Sequence, residues 1–430
     1  MTRNHRILLQ LLAAALAFVA TFGAVVLVNG KGEAPRQVRP QQRTTDQLIR
    51  VYSAAIRERP GDARGYAALG GAYVQKVRET GDTDLYERAD RLFGQALARD
   101  RRNLTAIVGL GTVANARHDF AHGLRFAERG RRIAPQAVAP LPVLVDSQIE
   151  LGRYRDAERT LQTLVRLKPN LSSYARVSYW RELHGDLDGA LDAARAAVSA
   201  SGDTGETSAY LYTLVAKLEF ARGDLAAARR ALDTALVRFP GYLGAQAEMA
   251  RLAGAEGRLG ESIRRYREVT RRLPLPESVV LVAEAERAAG RRTQARAHFR
   301  DSLRRERHLL ATGSQPDADT ALLETAAGSQ RQAVRYARVA WRHSPSVRSA
   351  DAFGWALTHA GRPADGLRWA RRALALGSLD PRFLYHAAVA ARRAGRPALA
   401  VGWLRRIERT NPRFSPLYGP RAMRLLRELS

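Results

Sequence analysis

Apolar residues recur three and four positions apart through almost all of residues 44–413, and glycine and proline break the pattern at regular distances. In Gly152 to Pro169, GRYRDAERTLQTLVRLKP, a glycine turn is followed by Ala157, then by Leu161, Leu164, Val165 and Leu167 on one helical face, then by a proline that stops the helix. The stretch predicts the second helix of a helix-turn-helix unit. Altered copies end at Pro135, Pro169, Pro240, Pro274, Pro345 and Pro412, separated by 34, 71, 34, 71 and 67 residues. The long separations are doubled periods. The units inside them show as Ala190, Ala194 and Ala197, as Ala295, Phe299 and Ser302, and as Gly366, Ala370 and Ala373, which gives about ten units.

The first helix of a unit is clearest at Tyr66, Leu69, Gly70 and Tyr73, and its second at Ala89, Phe93 and Ala96. Two helices approach closely only where side chains are small, so glycine and alanine belong at crossing points with rings and leucines beside them. One pair cannot bury its own apolar face; the next pair does. Between Lys76 and Asp90 the first unit is longer by about seven residues, and RETGDTDLY is predicted to hold the extra turn. A half unit over 44–59, capped by Thr44 or Thr45 and stopped at Pro60, should close one end. A basic amphipathic helix in 414–430, with Met423, Leu425, Leu426 and Leu429, should cap the other.

The 34-residue period, Tyr66-x2-Leu69-Gly70-x2-Tyr73, Ala89-x3-Phe93-x2-Ala96 and the terminal prolines resemble tetratricopeptide repeats, in a protein of bacterial, membrane-anchored kind. Arg101 stands where the first unit would have its proline, and the unit from Pro316 to Pro345 is poor in bulky first-helix residues. The resemblance implies an all-α, right-handed α-solenoid over 44–413 whose inner groove, lined by first helices, binds peptides or partner proteins. Groove positions are then Tyr179, Glu182, Tyr210, Lys217, Phe220, Arg251, Glu284, Arg287, Arg348, Asp351, Trp355, His359, Tyr385 and Arg392. Rings and charges of both signs suit a protein segment with apolar anchors. Members of the family that bind chaperone tails use a Lys/Asn/Arg carboxylate clamp, whereas Ala67, Gly71, Val108 and Thr112 stand on the matching faces.

The ends and the charge place the solenoid. Residues 7–28 are uncharged and apolar, and as a helix about 33 Å long would cross a bilayer. Residues 1–6 form a basic head, and 29–43 read as a flexible linker. A single-pass anchor, or an uncleaved signal, is expected in the cell membrane, with the solenoid outside the cytoplasm. Net charge is +28, of which +23 falls after residue 43. Many arginines lie late in second helices, where they complement the helix dipole, and a basic edge could face anionic headgroups. The same charge keeps a helical-repeat nucleic-acid binder as the alternative, although the groove lacks a uniformly basic track.

Candidate chemistry resolves into packing. Gly109-x-Gly111-x2-Ala114 imitates a dinucleotide fingerprint, but no strand precedes it. His118 and His122 stand four apart at a turn without a third ligand, and Gly30-Lys31-Gly32 lacks the rest of a phosphate loop. The chain has no cysteine, which excludes disulfides and thiol chemistry. No catalytic, cofactor or metal residue is assigned, and no enzyme activity is expected.

Overall fold

The computed structural model describes residues 43–201, 205–311 and 315–430. The predicted head, membrane run and nearly all of the linker lie outside the described residues. Among those described, no helix is long and apolar enough to cross a membrane.

Twenty-two helices and no strand are found among the described residues. A single helix, α1 (Thr45–Glu58), precedes ten pairs: α2 (Ala63–Thr80) with α3 (Leu85–Arg99), α4 (Leu104–Ala116) with α5 (Phe120–Ile133), α6 (Pro140–Glu150) with α7 (Tyr154–Leu167), α8 (Leu171–Leu183) with α9 (Leu187–Ser199), and α10 (Glu206–Ala221) with α11 (Leu225–Arg238). There follow α12 (Leu243–Ala255) with α13 (Leu259–Arg272), α14 (Pro276–Ala288) with α15 (Arg292–Ala311), α16 (Ala318–Ala327) with α17 (Gln330–His343), α18 (Val347–His359) with α19 (Pro363–Ala373), and α20 (Pro381–Arg393) with α21 (Pro397–Thr410). The last helix is α22 (Tyr418–Leu429). The described count exceeds what ten units supply by two helices, and the surplus is α1 and α22.

Proline sets the ends of second helices by a uniform geometry. In α5, α7, α11, α13, α17 and α21 one residue separates the last helical position from the proline. That residue is extended, from φ −137° at Ala134 to φ −150° at Phe239, because the proline ring excludes helical backbone before it. Asp100 takes the same turn, at φ −139°, although Arg101 follows it. The extra length of the first unit is helix rather than loop. Residues Arg78–Thr80 continue α2, left-handed Gly81 ends it, and only 81–84 connect to α3.

Small residues seat large ones between units. A Cβ on Gly70 of α2 would lie 2.8 Å from the Phe93 ring, and one on Gly109 of α4 would lie 2.3 Å from it. Phe93 is fully buried between these two first helices, so Gly109 is a packing position. Gly111 stands likewise against Val143.

The solenoid winds back on itself. Hydrogen bonds join His118 to Asp317, Ser344 to the Glu150 carbonyl, Tyr154 to the Val347 amide and Asn411 to the Phe220 carbonyl, across 191 to 199 residues. At about 34 residues a unit, each bond closes a circuit of between five and six units. Three turn glycines form the seam. A Cβ on Gly152, Gly185 or Gly223 would sit 2.4 Å from the carbonyl oxygen of Pro345, Gly377 or Thr410 respectively. The second coil thus rests its inter-unit loops on the first coil's turns. Arg78 of the first unit pairs with Glu206 of the fifth.

Helix α22 does more than cap an exposed end. The segment leading into it reaches the inside of the first coil, where Pro416 meets Gly254 and Ser415 donates 2.9 Å to Glu284. Phe414, Leu417 and Tyr418 join a single apolar cluster with side chains of α10, α11, α12, α18 and α20.

Candidate functional site

Winding of this tightness changes what the inner face can be. Tyr210 is completely buried, and Phe220 is buried beneath the Arg251 guanidinium, 4.4 Å from the ring centre. Trp355 stacks on His386 at 4.0 Å and meets Tyr418, while Tyr385 lies between Phe414 and Tyr418. Asp351 pairs with His386 at 2.9 Å, and Glu284 pairs with Arg382 at 2.6 Å. Burial, then the neighbouring Arg393, His386 and Arg287, holds His359 down at about 4. Tyr179 donates to Glu150 at 3.3 Å. Burial raises Glu182 despite Lys217, which is half-buried. Arg287 is half-buried, and exposed Arg392 is 3.8 Å from Glu428. The predicted groove positions therefore mostly face one another or α22. In an open superhelix they would face a partner; here the chain itself fills that space.

An open concavity lies elsewhere, between the two coils. A cleft of about 1040 Å³ separates α3, α4 and α5 from α16, α17 and α18. Leu110, Phe120, Phe126 and Pro316 give it apolar walls, and Arg91, Arg117, Arg125 and Arg348 face Glu87, Asp90, Glu150, Asp317 and Asp319 within it. Of the predicted groove residues only Arg348 borders it.

His118 is its most unusual residue. Every unit turns from first to second helix through one left-handed residue, which is glycine at 81, 152, 185, 223, 257, 290, 328, 361 and 395 and histidine, at φ 58°, in the second unit. A side chain in that conformation costs about 1 kcal/mol. Here it is offset by a hydrogen bond across the cleft, Nδ1 to Asp317 Oδ2 at 2.9 Å, and by stacking on Phe120. His122 turns the other way and pairs with Asp119 at 2.6 Å, so the two histidines do not converge.

Carboxylates crowd the floor. Burial pushes Asp319 up to about 7, against Arg348 at 3.4 Å and with Asp317 raising it further. Burial acts on Asp317 too, but its bond to His118 and the hydrogen bonds from Thr320 outweigh it and leave Asp317 lowered. Behind them Glu306, buried and near both aspartates, is pushed up to about 8. Sequence reading missed this cluster because its members come from α6, α15, α16 and α18, brought together only by the second coil. The signal available was His118, a histidine where each neighbouring unit has glycine.

The architecture is that of an α-solenoid of helix-turn-helix units. Residues 143–205 and 352–413 match the tetratricopeptide repeat family, which supports reading the chain as a tetratricopeptide-repeat protein. Among solved structures, the human IFIT1 dimer with m7Gppp-AAAA is 15% identical, with 78% of this chain and 76% of that one covered at a TM-score of 0.50. YrrB, a TPR protein with an unusual peptide-binding site, is 21% identical over 46% of this chain and 96% of its own, at a TM-score of 0.28. TTC0263, a thermophilic TPR protein of Thermus thermophilus, is 17% identical over 49% and 98%, at a TM-score of 0.36. A search of curated proteins returned no match.

Proposed function

We propose that this chain is a non-catalytic scaffold of the cell membrane, tethered through residues 7–28 with its solenoid outside the cytoplasm, that holds a segment of a partner protein in the cleft between its coils. The cleft carries the reading: it is large, open, and lined by rings and by charges of both signs. An extended peptide with apolar anchors and flanking charges finds complements there, in a site pre-formed on rigid helices. A phosphate backbone would meet Glu87, Asp90, Glu150, Asp317 and Asp319, which favours protein over nucleic acid.

A photo-reactive amino acid at Phe126, inside the cleft, and another at Arg230, exposed on α11, would test this. Discrete partner adducts should form at 126, be absent at 230, and disappear when Arg91 and Arg125 are both changed to Glu. Equal labelling from the two sites would remove the cleft from the account. Protease added to intact cells should digest the solenoid, and full protection would place it on the cytoplasmic side.

A further inference from the structure

On most outer helices arginines are offset by acids. Asp156 on α7 sits between Arg153 and Arg159, and Glu261 on α13 between Arg258 and Arg265. Among the described residues α5, α17 and α21 show no such pair, and of these three α17 alone carries no acid at all. Its Arg331, Arg335, Arg338 and Arg342, at spacings of four, three and four, form one exposed outward row. None of the four has an acidic partner within 4.0 Å among the described residues. Like charges so spaced on a helix cost folding energy, and solvation alone needs no such row. An anion outside the chain would offset the cost.

The row continues onto α19. Trp341 of α17 and Trp369 of α19, both partly exposed, meet edge to face at 4.7 Å. The exposed Arg372 lies over both rings, at 5.8 and 4.8 Å, with Arg371 beside it.

We propose that the outer face of α17 and α19 docks on a bilayer containing anionic phospholipid, the arginine row taking headgroup phosphates and the tryptophan pair resting at headgroup level. Two observations favour lipid over nucleic acid. The rings pack on each other beneath Arg372, so neither offers a free face for a base to stack on, while Trp and Arg together suit a membrane interface. The apolar run 7–28 is separated from α1 by a short linker, which would keep the solenoid at high effective concentration beside a membrane. The choice of lipid rests on the tether proposed above; the face itself does not.

All five tryptophans, at 180, 341, 355, 369 and 403, lie in the solenoid and none precedes residue 43, so fluorescence of the full chain reports the solenoid alone. Full-length protein is reconstituted in nanodiscs of phosphatidylcholine brominated near the glycerol, with or without phosphatidylglycerol. The face predicts quenching that requires phosphatidylglycerol, fades at molar salt, and falls at least severalfold when Arg331, Arg335, Arg338 and Arg342 are all changed to Gln. A matched variant with Arg131, Arg132, Arg155 and Arg230 changed to Gln should quench as wild type does, and both should melt normally. Quenching independent of phosphatidylglycerol, or lost equally in the matched variant, overturns the assignment. So does single-stranded RNA binding that the row variant abolishes while lipid quenching persists. The tether is read separately, by retention with the discs in alkaline carbonate, so its failure is distinguishable from failure of the face.

Discussion

At the scale of single residues, the cleft stores unfavourable electrostatics that pH should expose. Glu306 is buried; one of its oxygens accepts from Thr320 at 3.3 Å and the other has no partner. Its folded pKa, about 8, lies above the ordinary value of 4.5, so between those pH values the folded state holds a proton that the unfolded chain has released. Stability from this group is complete below about pH 4.5 and is lost as pH rises toward 8; Asp319, raised to about 7, acts in the same direction. Glu306→Gln should therefore stabilise the protein at pH 8 by an amount of the order of a few kcal/mol and change little at pH 4.5. Denaturant titrations at both values check it, and parallel curves would contradict the assigned burial. A second test uses His118: both Ala and Gly remove the bond to Asp317, but only Gly relieves φ 58°. The Gly variant should be the more stable of the two by about 1 kcal/mol, and equal stabilities would mean that no strain is held there.

Among the elements, much was legible in sequence because it is local. The prolines predict where second helices stop, and the structure places each two positions past a helix end. Glycines opposite Phe93 read as crossing points because close helix approach has a chemical requirement. The RETGDTDLY stretch, expected as turn, is connector only over 81–84, since Gly81 alone ends α2 and the residues before it are adequate helix formers. What sequence could not carry is the pairing of one coil with the next, because the contacts at Gly152, Gly185 and Gly223 are made to backbone carbonyls. Any residue can offer a carbonyl, so no side-chain pattern marks the partner. Substitution can isolate the seam. Gly185 and Gly361 share nearly the same backbone, φ 77° and 78°, but a Cβ at 185 would strike Gly377 while one at 361 meets nothing within 4 Å. Gly361→Ala should cost about 1 kcal/mol for backbone strain alone, and Gly185→Ala should cost clearly more. Equal losses in thermal melts would argue against a close seam.

At the scale of the whole molecule, the described residues form a coil that returns onto itself after between five and six units. Inside it Trp355 and Tyr385 are buried against Phe414 and Tyr418, where a solenoid of the same repeats wound more openly would present them to a partner. The return also creates the cleft, by setting α16, α17 and α18 over α3, α4 and α5. Sequence reading reached the repeat and its helices but assigned the groove by the geometry of an open superhelix, and pitch is a sum of small rotations that no single residue declares. A chain without cysteine allows the return to be measured directly, by spin labels at His184→Cys and Ala375→Cys, both exposed sites. The Gly377 turn lies against the His184 carbonyl, so the closed coil predicts one narrow, short distance set mainly by the label arms. Five or six pairs stacked without return, at roughly 10 Å for each packed layer, would instead separate the labels by about 50 Å or more, and a distribution centred there would contradict the closed coil.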